Sequence, residues 1–319
     1  MNLPGLRTIH SDHAHYGWDH ALAPRLTVAP GETVTVSCRD AGDGQITPGS
    51  TDATILALDP ERANPLTGPI LVDGARPGDV LAVSILDFAP SGFGWTGILP
   101  GFGLLADQFP DPALHLWSYD TGGRAPLAFG RLAELPLAPF IGTIGTAPAE
   151  PGPHSVIPPR RTGGNMDTRD MRAGTVLYLP VEVDGALLSV GDTHAAQGDG
   201  EVCGTAIESA MDVTLKIDLL REVPLAFPRY ETDGPRPGDT GRAGVTATTG
   251  IGPDLLQCCR DAVSGMIDHL SRTRSVSAAD AYMLCSVAAD LTVSEVVDAP
   301  NWAVSCTIPR AIFQDRASV

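Results

Sequence analysis

The sequence predicts a mainly β protein, a sandwich- or barrel-like body followed by an α+β carboxy-terminal layer. Three observations carry this expectation. Short β-branched or alternating segments bounded by Gly, Pro or Asp run through the chain up to Gly200, connectors such as VAPGETV and ARPGDV have turn chemistry, and a helical apolar period emerges only beyond Gly200.

The strand segments come first: Arg25 to Val28, Thr33 to Cys38, Val80 to Phe88, Thr175 to Leu179 and Ala186 to Val190. From Phe88 to Pro153 the chain is dense in Gly and Pro (SGFGWTGILPGFG, PFIGTIGTAPAEPGP), so loops over a β core are expected there. Gly204 to Met211 is small and apolar and reads as helix-like. Asp254 to Arg272 places Leu255, Leu256, Val263, Ile267 and Leu270 near one helical stripe. A second helix is expected from Ser277, where Ser277, Ala278, Ala279 and Asp280 form an acidic capping box before the apolar run Tyr282 to Ala289. LTVSEVVDAP and WAVSCTIP then read as two strands. Residues 1–200 are expected to form the β body that carries most of the site, and 201–319 an α+β part packed on it as one cooperative unit.

Charge and composition narrow the function. With 21 basic against 38 acidic residues the formal charge is −17, which repels a phosphate backbone or an anionic membrane, and no basic patch offsets it. No nucleic-acid or membrane partner is therefore expected. No stretch reaches the ~18 apolar residues of a spanning helix, and the amino terminus lacks an apolar segment after a basic start, so a cytoplasmic location is expected. The cysteines at 38, 203, 258, 259, 285 and 306 form no C-x-x-C pair and read as reduced and mostly buried. Lys216 is the only lysine, so any lysine-dependent mechanism has one candidate.

The densest polar constellation runs from Gly191 to Glu201 (GDTHAAQGDGE), after the apolar strand ALLSV. Asp192 and His194 stand at i and i+2; on an extended segment they point to one side, which suits two ligands of one metal ion. A polar turn with a surface histidine is the alternative. In Gly163-Gly164-Asn165-Met166-Asp167, the glycines suggest close backbone approach, with Asp167 as a carboxylate ligand and Asn165 as a substrate amide partner, or else an ordinary Asx turn. His13-Ala14-His15 offers a third ligand pair, in a segment whose histidines (His10, His13, His15, His20) could equally be exposed.

These strings resemble the acetamidase/formamidase family. GGNMDTRDM and LYLPVEVDGALLSVGDTHAAQGDGEVCGTAIE are similar to its central signature, ANPLTGPILVDGARPGDVLAV and HYGWDHALAPRLTVAPGETV to its amino-terminal blocks, and SAADAYMLCSVAADLTVSEVVDAPN to its closing helix and strand. The resemblance implies hydrolysis of short aliphatic amides to carboxylate and ammonia on a mainly β fold, with a divalent metal such as zinc, in a homo-oligomer. On the matched motif, Asp167, Asp192 and His194 are expected as ligands with His15 a fourth, and Glu201 as general base and acid. Asn165 and Gln197 are expected to hold the substrate amide.

The alternatives are weighed on the same residues. Ser-Ser-Lys and nitrilase-type amidases need a lysine, and Lys216 sits in the alternating segment TLKIDLL. Cys203 as a nucleophile is disfavoured by its acidic surroundings, which suppress thiolate. A γ-lactam hydrolase on the same site, an iron oxygenase built on His13 and His15, and a non-catalytic binding protein are the remaining readings. Trp18, Trp95, Phe93 and Phe102 could line a small apolar pocket or pack in the core.

Overall fold

The structure is a computed structural model and describes residues 7–103, 106–107, 109–129, 133–201, 203–221, 223–234, 244–278, 281, 289–310 and 313. Its strands are β1 (Arg7–Ile9), β2 (Ala14–His15), β3 (Leu26–Val28), β4 (Glu32–Cys38), β5 (Leu66–Val72), β6 (Val80–Pro90), β7 (Phe93–Ile98), β8 (Ala113–Ser118), β9 (Leu127–Phe129) and β10 (Ala133–Leu135). They continue as β11 (Phe140–Gly145), β12 (Gly163–Asn165), β13 (Thr175–Pro180), β14 (Leu188–His194), β15 (Met211–Leu220), β16 (Arg229–Thr232), β17 (Val245–Gly252), β18 (Asp290–Glu295) and β19 (Trp302–Pro309). Two α-helices, α1 (Asp52–Ile55) and α2 (Leu255–Arg274), and two short 3-10 turns, Ser11–His13 and Pro60–Arg62, complete the described elements.

Nine strands form one sheet in the order β1-β4-β15-β6-β13-β16-β17-β19-β18, which takes strands from both sides of residue 200. A six-stranded sheet, β12-β11-β14-β5-β2 with β3 beside β5, faces it. The strands alternate as the sequence suggests: in β4, Val34, Val36 and Cys38 point inward, and in β15 Val213, Leu215 and Ile217 do the same. These side chains meet Ile70, Phe140, Ile141, Ile144, Leu188 and Val190 of the second sheet in one core, giving the expected sandwich. Helix α2 caps the far end of the large sheet. Its N-cap Asp254 accepts from the Gln257 N–H at 2.7 Å, and its buried Cys258, Ala262, Met266 and Leu270 pack on Val304, Cys306 and Ile308 of β19.

Two expectations change. The segment 88–153, read as loops, contains β7 to β11. Within its strands the glycines serve close approach: a methyl on Gly94 would stand 2.8 Å from the Glu208 carbonyl oxygen, and one on Gly97 3.0 Å from Ile55. Second, Gly204 to Met211 is not helical. It runs extended between β14 and β7, with the Ser209 N–H donating to Thr193 at 3.0 Å and the Glu208 N–H to Trp95 at 2.8 Å, so its backbone bonds go to neighbours on both sides. A short apolar run gives a buried strand and a buried helix the same signature. Asp192 and His194 lie at the end of β14, on the extended segment that their i, i+2 spacing suggested. Of the helix expected from Ser277, Ala278 and Ala281 are helical and the Ala281 N–H donates to Ser277 at 2.9 Å; residues 279–280 and 282–288 lie outside those described.

Candidate metal and catalytic site

Strand β11 organises the site. Thr143 pairs with Asn165 of β12 on one side and with Gly191 of β14 on the other, so the two acidic motifs emerge flanking one strand. The chain turns after Asn165 to bring Asp167 back over Gly142, whose carbonyl accepts from the Met166 N–H at 3.1 Å. Only glycine fits at 142: a methyl there would stand 2.6 Å from Asp167 Oδ1 and 2.8 Å from Asp192 Oδ2. Beyond β14, residues 198–201 are pinned by a forked Arg169–Asp199 pair, at 3.0 and 2.6 Å, and by the Gly200 N–H donating to Ser294 of β18 at 3.0 Å. The site thus lies where the smaller sheet meets the edge of the larger one.

Four of the expected residues come together. Asp167, His194 and Glu201 can each offer a ligand atom within 4.8 Å of one another, and so can Asp192, His194 and Glu208. His194 Nε2 lies 3.1 Å from both Asp192 Oδ1 and Glu208 Oε2, with its ring edge-on to Phe140. All five residues are buried. Asp167 (φ 42°), Asp192 (φ 51°) and Glu201 (φ 46°) adopt left-handed backbone, a costly conformation for a residue with a side chain and one that collects at functional sites.

Asn165 is held from both ends: its Oδ1 accepts from the Thr143 hydroxyl at 2.5 Å and its Nδ2 donates to Asp298 at 2.5 Å. Gln197 donates through Nε2 to the Asp167 carbonyl at 2.9 Å. His15 is not brought to the cluster, because its Nδ1 is engaged by the Gly17 carbonyl at 2.8 Å and its Nε2 by Ser189 Oγ at 2.9 Å. Lys216 stands half-exposed on β15 beside Asp218, and Cys203 lies against Thr205. Among the described residues no disulfide forms.

Glu208, Asp298 and Glu295 were not expected here. The available signal was an acid isolated inside an apolar run, in GTAIESAM and in SEVVDAP, which a folded chain tolerates only with a partner. Glu295 Oε1 accepts from the Val297 N–H and, at 2.6 Å, from the Asp298 N–H, which sets the Asp298 side chain toward Asn165.

Crowded burial perturbs every acid. Burial and then the Asp192 charge push the Asp167 carboxyl well up; burial and then Asp167 do the same to Glu201. Burial lifts Glu208 to about 7 against the pull of His194, and lifts Glu295 to about 7. Asp192 goes the other way: burial would raise it, but the His194 charge and the hydrogen bonds around it hold it below the usual range. His194 is raised in spite of burial by Glu208 and Asp192. Like charges this close call for a counter-cation.

The cluster closes one end of a cavity of about 610 Å³, lined there by Asn165, Asp192, Glu201, Glu208 and Asp298. The other end is apolar and includes Trp95 and Phe102. Trp18 packs instead with Leu66 and Val156, and Phe93 in the cluster around Trp95.

The model of the Acetamidase/Formamidase family matches residues 6–156 and 152–315. The acetamidase of Mycolicibacterium smegmatis is 32% identical over 269 residues, covering 65% of this chain and 66% of that protein, just under two thirds of its length. The formamidase of Methylophilus methylotrophus is 27% identical over 94% of this chain and 89% of its own. The crystal structure of an acetamidase from Bacillus halodurans superposes with a TM-score of 0.87 at 33% identity, covering 98% of this chain and all (100%) of that one.

Proposed function

The chain belongs to the acetamidase/formamidase family and is a hydrolase of carbon–nitrogen bonds in linear amides, and from this premise we propose that it converts short aliphatic amides, of the formamide and acetamide type, to carboxylate and ammonia at the buried acid cluster, with a divalent metal. The observation that carries the reading is two buried carboxylate pairs, Asp167 with Glu201 and Asp192 with Glu208, that share the His194 imidazole, with Asp192, Glu201 and Glu208 lining a cavity.

The donor set fits a cation. Both carboxylate oxygens of Asp167 and the Nδ1 of His194 are buried with no hydrogen-bond partner, which is expensive unless a positive charge faces them. Asp192, His194 and Glu208, with Asp167, would hold it, Glu208 taking the place expected of His15; a mixed imidazole–carboxylate set can accommodate zinc. A bound cation of this kind supplies polarisation of the amide carbonyl and a water of lowered pKa.

The chain's own residues do the rest. Glu201 lines the cavity and takes the proton that water loses as its oxygen bonds to the carbonyl carbon. It returns that proton to the amide nitrogen as the carbon–nitrogen bond breaks, so water and amide become acid and ammonia. A raised pKa suits a group that must hold a proton midway. Asn165, with one Nδ2 hydrogen beyond its bond to Asp298, orients the substrate amide. Gln197 does not line the cavity; it positions Asp167 through the backbone.

A cytoplasmic setting is supported by the reduced state of the described cysteines, and a homo-oligomer by the exposed Leu255, Leu256 and Leu291. Among the described residues no helix is long and apolar enough to cross a membrane.

The test is ammonia release from formamide and acetamide by protein purified without chelator, before and after metal stripping and zinc re-addition. Release lost on stripping and restored by zinc is expected. Unchanged activity after stripping overturns the metal assignment, and no release from metal-loaded protein overturns the short-amide reading. A γ-lactam, which opens to an amino acid without losing ammonia, is followed in parallel by primary-amine formation.

A further inference from the structure

The cavity is too large and too apolar for acetamide alone. Acetamide has four heavy atoms and fills on the order of 100 Å³ if a water-sized group takes about 30 Å³; the cavity holds about 610 Å³. The surplus lies against Ile55, Leu58, Trp95, Leu99, Phe102 and Ile157. Water in such a space gains little from its walls, and an apolar group that displaces it gains affinity.

The apolar wall is built rather than incidental. Trp95 exchanges two backbone hydrogen bonds with Glu208, at 3.0 and 2.8 Å, and its indole Nε1 donates to Asp40 at 3.0 Å. The wall is therefore fixed relative to the acid cluster. Ile55 belongs to α1, closed by a reciprocal Thr51–Thr54 capping box and tied to β8 by Asp52, which accepts from the Leu114 N–H at 2.8 Å. Gly94 and Gly97 let this hairpin approach Glu208 and Ile55. The polar side chains near the wall are already engaged: Gln45 bonds the backbone carbonyl and N–H of Asp59, the Asp59 carboxylate accepts from the Glu61 N–H, and Asn64 donates to Asp192. No Lys, Arg or His is among the described lining residues, so nothing there would receive an anionic substituent.

We propose that this chain's preferred substrates are neutral primary amides whose acyl carbon carries a bulky apolar group, a chain of several methylenes or a single aromatic ring, with the carboxamide at the acid cluster and the apolar group against Trp95, Ile55 and Leu58. The proposal rests on the amidohydrolase reading and extends its substrate class. The reaction balances as R–CO–NH2 plus H2O giving R–COOH plus NH3: the C–N bond breaks, a C–O bond forms to the water oxygen, the water's proton leaves on nitrogen, and nothing is oxidised or reduced.

The experiment measures kcat/KM for ammonia release by the zinc-loaded full chain from acetamide, hexanamide, phenylacetamide and the anionic succinamate. Each buried methylene is worth about fourfold (~0.8 kcal/mol), so hexanamide and phenylacetamide are expected at least about tenfold above acetamide, and succinamate about tenfold or more below hexanamide. Leu58→Trp fills the apolar end and is expected to lower the hexanamide-to-acetamide ratio by about tenfold; Leu99→Trp does the same should the first variant fail to fold. Acetamide turned over as well as or better than the larger amides, a ratio unmoved in folded variants, or succinamate equal to hexanamide overturns the proposal while leaving the amidohydrolase reading intact. No ammonia from any of the four overturns that reading and the proposal together.

Discussion

The His194 imidazole and the Glu208 carboxylate stand 3.1 Å apart because the segment carrying Glu208 is threaded as an extended bridge between β14 and β7. Two sheets' worth of hydrogen bonds therefore fix one acid against one imidazole, and the side chain can change without releasing the backbone. Glu208→Gln is expected to keep the fold and lose metal affinity by at least about 10- to 100-fold, the loss seen when even an outer-shell partner is removed. Metal content after dialysis, read beside ammonia release, checks this; full metal retention would remove Glu208 from the ligand set.

Gly142 faces two carboxylates at once. Gly142→Ala puts a methyl within 2.6 Å of Asp167 Oδ1 and 2.8 Å of Asp192 Oδ2, so one or both must move. A displacement of this size costs about 10²-fold in kcat/KM even when the overall fold persists. Kinetics alongside circular dichroism measure it, and near-normal activity would place the reacting centre elsewhere.

Divalent metal is expected to stabilise the native protein by charge neutralisation. With zinc at about 100 times its dissociation constant the gain is about 2.7 kcal/mol, seen as a higher melting temperature than in chelator. The zinc increment should shrink sharply in Asp192→Asn. An equal increment in both proteins would point to binding at another place.

His269 supplies a pH signature remote from the site. Burial, then the Arg229 charge, lowers its pKa from 6.5 to about 4. The unfolded chain takes up this proton near pH 6.5 and the folded chain only near 4, so between those values the unfolded state holds more protons and stability falls as pH drops. Above pH 6.5 the residue contributes no pH dependence. Between pH 7.5 and 5 the melting temperature should fall by about 2 °C or more beyond that of His269→Gln, at roughly 2–4 °C per kcal/mol. Parallel pH profiles for the two proteins would contradict it.

Strands such as β4 and β13, and helix α2, were legible because one face of each is buried and the alternation or the helical period records it. The hairpin β7–β8 and strand β11 were hidden because their glycines look like turn residues, whereas Gly94 and Gly142 are there to admit a neighbour's carbonyl or carboxylate and Gly97 the Ile55 side chain. In the site, Asp192, His194 and Glu201 could be read from one dense string and Asp167 from a second. Glu208 and Asp298 could not, since an acid alone in an apolar run has no spacing to announce it. His15 looked like a ligand by residue type, but the partners that occupy both its nitrogens, Gly17 and Ser189, are known only from the fold.

The left-handed backbone at Asp167, Asp192 and Glu201 has a practical consequence for dissecting this enzyme. Alanine has no taste for that conformation, so an alanine scan would alter chain path and charge in a single stroke and credit the carboxylate with both. Asparagine visits the left-handed region readily. Asp167→Asn and Asp192→Asn therefore erase charge and preserve shape, while a glycine at the same positions relaxes the shape and erases the side chain. The asparagine and glycine exchanges, compared position by position, separate what the loop geometry contributes from what the carboxylate contributes.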